Sequence, residues 1–464
     1  MPPTGLQSRG LMRSLIAFSR LAVSAAIACG AGALAQQQRM MTATVNTIHK
    51  FTDTPDGSNP AGNLVSDSAG ALYGTTAGGG TNGPGTVFRL TPPASAGGAW
   101  AETVLYSFAG GENGGEPAGG LVIDSLGNLY GATYTGGNVA CVGGCGLVFQ
   151  LSLPSTPGGT WSYHVLYSFS GGTDGYAPQG ALVFDQAGAL YGAASMGGDL
   201  VACTGATPGC GVIFQLAPPT SAGGAWTYSV IYTFTGASDG IGPLGNLVFG
   251  RDGALYGVTG GGGTGSCYSA SSGCGTVFAL TPPSSAGGAW TETQLYLFTD
   301  GSDGANPSPS LVWDSRGVLY GAATWGGSRR TSWCTFGCGT IYQLTPPAHS
   351  GGSWTFSTIF TFRGFFQDGS TPCCLVFSNT GELYGAAQQG GPNRGSNHYG
   401  AIYRLRPPSA AGGAWTENIL YGLPRQGNWP SGLVLVAGPG GVLYGTTSGG
   451  LILGEHGTAF QLIP

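Results

Sequence analysis

The string Leu-Tyr-Gly recurs seven times, beginning at Leu72, Leu129, Leu190, Leu255, Leu319, Leu383 and Leu443, at spacings of 57 to 65 residues. Self-similarity at such a period marks a repeat architecture, in which each unit buries its apolar face against the next. The repeat also settles how the composition is to be understood. Ninety glycines and 29 prolines in 464 residues are a level that often signals disorder. Here they are periodic and flank alternating apolar runs, so they act as turn punctuation between strands. With 41% hydrophobic and 11% aromatic residues, there is ample material for a packed core.

One unit contains four strand-like segments. Leu64-Val65 opens a short strand that closes at the turn Asp67-Ser-Ala-Gly70, with Asp and Gly where turn chemistry favours them. Ala71-Leu-Tyr-Gly-Thr-Thr76 is the second strand, followed by a glycine-rich loop, and Thr86-Val-Phe-Arg-Leu90 is the third. The hairpin Thr91-Pro-Pro-Ala-Ser-Ala-Gly-Gly98 reverses the chain into a fourth strand running from Trp100 to Phe108. The hairpin and its tryptophan recur as Trp100, Trp161, Trp226, Trp290, Trp354 and Trp415. A tryptophan fixed by a repeat is expected to pack between units.

The seventh unit fixes the topology. It ends at Gly457-Thr-Ala-Phe-Gln-Leu462, one strand short, while Asn46-Thr-Ile-His-Lys-Phe51 aligns with the fourth-strand segment Thr103-Val-Leu-Tyr-Ser-Phe108. An N-terminal strand that completes the last unit closes a ring and removes the open edges of a linear stack. The expected fold is therefore an all-β, seven-bladed β-propeller of four-stranded blades. It occupies residues 44–464, with blades at roughly 61–108, 119–169, 180–234, 245–298, 310–362, 374–421, and 431–464 joined by 44–52.

The unit Gly-x-Leu-Val-x-Asp-x-x-Gly-x-Leu-Tyr-Gly, followed after a loop by Gly-Thr-Val-Phe-x-Leu-Thr-Pro-Pro-x-x-x-Gly-Gly-x-Trp, resembles the GloVer tandem repeat of exported bacterial proteins described as having a choice of anchor. The resemblance covers about residues 44 to 464. It implies export and a surface or extracellular setting, and it implies no reaction. Gln461-Leu-Ile-Pro464 departs from what anchoring would require, having no sorting motif or apolar tail.

Residues 1–35 are expected to be a signal peptide, and 36–43 a short linker. Arg9, Arg13 and Arg20 precede the apolar stretch Leu21–Ala28, and Ala33-Leu34-Ala35 supplies small residues for cleavage. Cys29 offers a lipid-attachment alternative. Cleavage would take the formal net charge from -5 to -8. Lys50 is the only lysine, so the chain is poorly equipped to neutralise phosphates, and nucleic acid is not an expected partner. No later stretch is apolar enough for a transmembrane helix, and the mature protein is expected to be an exported monomer, in an extracellular, cell-surface or periplasmic setting.

Ten cysteines follow Cys29, an even number for an exported chain. Cys141 and Cys145, Cys203 and Cys210, Cys267 and Cys274, and Cys334 and Cys338 fall in the same second-to-third loop of blades two to five. Four matched loop pairs predict local disulfides, because a zinc site would need Cys-x-x-Cys spacing and convergence of two pairs. Cys373 and Cys374 form either a vicinal disulfide or two free thiols. No cofactor and no metal is expected.

The loops joining second to third strands, and the connections between blades, share one face, and the length variation falls there. The inter-blade turn Asp-Gly-x-x-Pro presents Asp56, Asp174, Asp239, Asp303 and Asp368, whose expected role is turn capping. His49, His164 and His349 are assigned structural roles, leaving His398 and His456 as mild loop-face candidates. What breaks the symmetry is a set of aromatics and arginines on blades five to seven: Trp325, Arg329, Arg330, Trp333 and Phe336, then Phe365, Phe366 and Arg394, then Arg425 and Trp429. Aromatics rimmed by arginine suit a glycan or protein contact, although mutual packing across a long loop would also account for them. The expectation is a non-catalytic binding or scaffold protein for a glycan or cell-surface protein. The alternative is a polysaccharide hydrolase or lyase using carboxylates of the inter-blade turns.

Overall fold

The computed structural model describes residues 43–464 except 96, 118, 157, 204–208, 222, 264–266, 268–272, 286, 328–329, 331–333, 350, 365–366, 392–399, 411, 424–435, 438–440 and 449–455. The signal-peptide assignment, Cys29 and most of the linker lie outside the described residues.

The chain forms seven antiparallel sheets arranged as a propeller. Blade one shows the plan, with strands Ser58–Ser66, Leu72–Gly78, Thr86–Thr91 and Ala101–Ser107. First strands begin earlier than the sequence suggests, because the inter-blade Pro already pairs, with Pro60 opposite Thr76. A register shift between Ala61 and Val65 hides that pairing from a search for simple alternation. In blade seven, Thr44–Lys50 pairs antiparallel with Thr458–Ile463, with Thr44 opposite Ile463. The first described strand therefore completes the last sheet, as the split seventh unit requires.

Each residue of Leu-Tyr-Gly has its own task. The seven leucines are no more than 1% exposed and anchor the apolar layers between blades. The tyrosine hydroxyl donates to an acidic residue in or beside the first turn, as in Tyr73 to Asp67 at 3.0 Å, Tyr130 to Asp124 at 3.0 Å and Tyr384 to Glu382 at 3.1 Å. Its ring meets the hairpin tryptophan of the next blade, with centroids 6.2 Å apart for Tyr73–Trp161 and 5.8 Å for Tyr320–Trp415. Glycine is needed because a Cβ on Gly74 would lie 2.6 Å from the Phe88 ring and 2.8 Å from Leu64. Blades five and six replace this phenylalanine by Tyr342 and Tyr403, both fully buried.

Candidate functional site on the loop face

The loop face is built from one seam device repeated between blades. The residue before the inter-blade proline is left-handed, as at Asn59, Glu116, Ala177, Asn306 and Thr371, with φ between 50° and 55°. That backbone turns its N–H toward the preceding blade. Ala177 donates to the Cys145 carbonyl at 3.0 Å, Gly242 to Cys210 at 2.9 Å, Asn306 to Cys274 at 2.8 Å and Thr371 to Cys338 at 3.1 Å. In every one of these bonds the acceptor is the second cysteine of a loop pair. The glycine that follows each of these cysteines meets the proline of the next blade, and a Cβ on Gly211 would stand 2.3 Å from the Pro243 ring.

The four loop pairs are disulfide-bonded, with Cα separations of 5.0 to 5.3 Å. Each bridge therefore holds the carbonyl that receives the next blade. Cys373 and Cys374 are also joined, with their Cα atoms 3.7 Å apart. They line a central cavity of about 540 Å³ together with Asn63, Gln179, Asn246 and Ser310. No charged residue is among the described residues lining it.

The inter-blade aspartates spend their oxygens on their own turns. Asp303 accepts the Thr299 backbone N–H and hydroxyl, both at 2.8 Å, and the Tyr296 hydroxyl at 3.1 Å. Asp239 repeats this with Thr235 and Tyr232. At Asp56 the aromatic partner is His49, whose Nε2 lies 2.9 Å away. Burial acts to raise the Asp56 carboxyl, but bonds from the Thr52 side chain and backbone and from His49 outweigh it and hold it below the usual range. At Asp368 both bonds come from Arg363, through the backbone N–H and Nε at 2.8 Å each. Turn capping is thus what these carboxylates do. His456 sits at the seam between blades seven and one, its carbonyl accepting from Asn59 at 2.9 Å. His398 lies outside the described residues.

On blade five the structure brings three of the asymmetric residues into view. Trp325 ends the second strand and lies 5.7 Å from Phe336, centroid to centroid, with the rings tilted by 44°. Phe336 is 39% exposed and sits between Cys334 and Cys338. Arg330 makes a 2.9 Å ion pair with Asp300 and donates to the Asp300 carbonyl at 3.0 Å. That arginine is therefore oriented by the preceding inter-blade turn. Arg329, Trp333, Phe365, Phe366, Arg394, Arg425 and Trp429 lie outside the described residues.

Among the described residues, no group of three or more His, Cys, Asp or Glu is placed to hold a metal ion. No helix among them is long and apolar enough to cross a membrane, which says nothing of a β-barrel.

Several solved structures resemble this chain at low sequence identity. A polysaccharide lyase, an ulvan lyase of family PL25 solved bound to glucuronic acid–(1-4)-linked sulfated rhamnose, is 10% identical, with 89% of this chain and 95% of that chain covered and a TM-score of 0.52. An oxidoreductase described as a glucose dehydrogenase, from Thermus thermophilus, is 16% identical over 91% of this chain and 100% of that one, with a TM-score of 0.39. The extracellular domain of a one-component system from B. thetaiotaomicron is 10% identical, with 89% of this chain but only 40% of that chain covered and a TM-score of 0.47. At 10% identity the likeness to the lyase is one of fold and transfers no substrate. Comparison with curated proteins found no match. A family model does match, over residues 28–204, 201–349 and 266–464, and the chain belongs to the Gloeobacter/Verrucomicrobia repeat family.

Proposed function

We propose that the chain is an exported binding or scaffold propeller that contacts a glycan or a cell-surface protein through the loop face of blades five to seven. Five disulfides fit an oxidising compartment. The observation that carries the reading is the Trp325–Phe336 pair. An exposed ring held against an indole, on a loop closed by a disulfide, is apolar contact area whose ordering cost is met before any ligand arrives. Arg330, fixed by Asp300 beside it, adds a positioned donor. The carboxylates of the inter-blade turns are engaged by the backbone and side chains of their own turns, which favours binding over the acid and base chemistry of hydrolysis.

The test is a polysaccharide and glycan array probed with residues 36–464, with product analysis of each hit. Trp325→Ala is expected to abolish binding with unchanged unfolding, and Arg330→Ala to weaken it. Equal binding by Trp325→Ala would sink this site, and reaction products would replace binding by catalysis.

A further inference from the structure

A second pocket opens on the opposite, tight-hairpin face, at the seam of blades four and five. Its volume is about 430 Å³, within the range of small-molecule sites. Its floor is aromatic: Phe249, Tyr256, Trp313 and Trp354. Trp313 stands at 90° to Tyr256 with centroids 4.8 Å apart, and Trp354 lies 6.3 Å from Trp313, tilted by 51°. Arg251, Asp252 and Asp314 form the rim. Arg251 Nη2 donates across the seam to the Ser315 carbonyl at 2.8 Å, which ties the two hairpins together.

Two departures from the repeat coincide here. The first turn carries its aspartate as Asp67, Asp124, Asp185 and Asp314 in blades one, two, three and five, but blade four has Gly250 in that place. A Cβ on Gly250 would stand 2.4 Å from Asp252 Oδ1 and 2.6 Å from the Tyr256 ring. The carboxylate has moved two residues along, where Asp252 accepts the Tyr256 hydroxyl at 2.8 Å and the Ala254 N–H at 3.1 Å. Asp252 is exposed, and a carboxylate accepts more bonds than these two. The second departure is Trp313 itself. The equivalent residues are Ser66, Ile123, Phe184, Phe249 and Phe377, so blade five alone among these offers an indole.

We propose that this pocket is a saccharide subsite that takes a pyranose ring. The apolar C–H face of the sugar lies on the Trp313 indole, and its hydroxyls donate to Asp252 and accept from Arg251. The site is separate from the loop-face contact around Trp325 and stands without it.

The experiment is saturation-transfer NMR and titration calorimetry of residues 36–464 with methyl glucoside, galactoside, mannoside and N-acetylglucosaminide. At least one of these is expected to bind, and Trp313→Ala to weaken it by about tenfold or more. The pair Gly250→Asp with Asp252→Ala restores the Asp-x-Ala-Gly turn of blade three and fills the pocket. It is expected to give the same loss, with Tyr256 shifting to admit the new side chain. Failure of every glycoside to bind overturns the proposal, as does binding that survives both variants. Binding lost in Trp325→Ala but kept in Trp313→Ala would also overturn it, while leaving the loop-face reading standing.

Discussion

Six of the seven seams between blades fall into two kinds. In three of them an aromatic ring of one outer strand stacks flat on a ring of the next: Tyr106 on Tyr163 at 4.2 Å, Tyr167 on Tyr228 at 3.8 Å and Tyr296 on Phe356 at 3.7 Å. In three others the second ring is replaced by a glutamate, namely Glu102, Glu292 and Glu417. Each of these lies in the field of the inter-blade aspartate before it, and one oxygen of each is buried without a hydrogen-bond partner among the described residues. Burial first, and the neighbouring Asp56, Asp239 or Asp368 second, push the glutamates up to about 7, about 7 and about 8. At Glu417 the Arg363 guanidinium, 3.7 Å away, acts against that rise. The same structural position thus supports either a pH-independent contact or a titrating one, and a single residue type decides which.

The largest effect is expected at a stacked seam. Tyr228→Ala removes the stack on Tyr167 and the hydroxyl's bond to the Asp174 carbonyl, and should destabilise by about 3 kcal/mol in chemical denaturation. Glu292→Ala, at a glutamate seam, should cost far less. Equal losses would erase the distinction between the two kinds.

The disulfides serve both kinds of seam and sharpen the comparison differently. Replacing Cys141 and Cys145 by serine should cost about 2 kcal/mol on the chain-entropy estimate. The local signature should be faster hydrogen exchange at the Ala177 amide, which the Cys145 carbonyl holds at 3.0 Å. An unchanged Ala177 rate would separate the bridge from the seam.

The pH dependence follows from the sign of the shifts. A carboxyl whose folded pKa stands above its unfolded value of 4.5 favours the folded state fully below 4.5. That contribution is lost as pH rises through 7 to 8. Thermal stability should therefore fall from pH 5 to pH 8, and Glu417→Gln should raise it at pH 8 by about 1 kcal/mol after allowance for solvent screening. At pH 5 the variant should match the parent. A fall in stability at pH 8 would mean that Arg363 dominates the site.

The smallest effect concerns two core hydroxyls. The Tyr342 and Tyr403 oxygens are buried without a partner among the described residues, where the other blades have phenylalanine. Tyr403→Phe should be neutral or stabilising by up to about 1 kcal/mol. A loss would reveal a bond that joins this core to the Glu417 seam.

Much of the fold was legible because its signals are local and repeated. The Leu-Tyr-Gly period gave the blade count, and the missing last strand gave the closure between Thr44–Lys50 and Thr458–Ile463. What could not be read were contacts between units that touch only through the ring. The cysteine spacing suggested bridges, but nothing in one repeat shows that Cys210 offers its carbonyl to Gly242 of the next. The two kinds of seam were equally hidden, since Glu292 and Tyr228 look like ordinary outward residues of a fourth strand until the preceding turn is placed beside them. The tight-hairpin pocket did leave a trace. Aligning the units exposes Gly250 where aspartate belongs and Trp313 where phenylalanine does, but single exchanges in tight turns stand out far less than the aromatics and arginines of the long loops.

The closing strand has a consequence for how the molecule is made. Val45 pairs with Leu462, so the propeller strand that is synthesised before the others must wait for the strand synthesised after them. Until Thr458–Ile463 arrives, Thr44–Lys50 has no sheet to join, and the nascent ring carries exposed edges at both ends. Assembly is thus committed late, and a chain interrupted at any earlier blade is left with two adhesive margins instead of one finished circle.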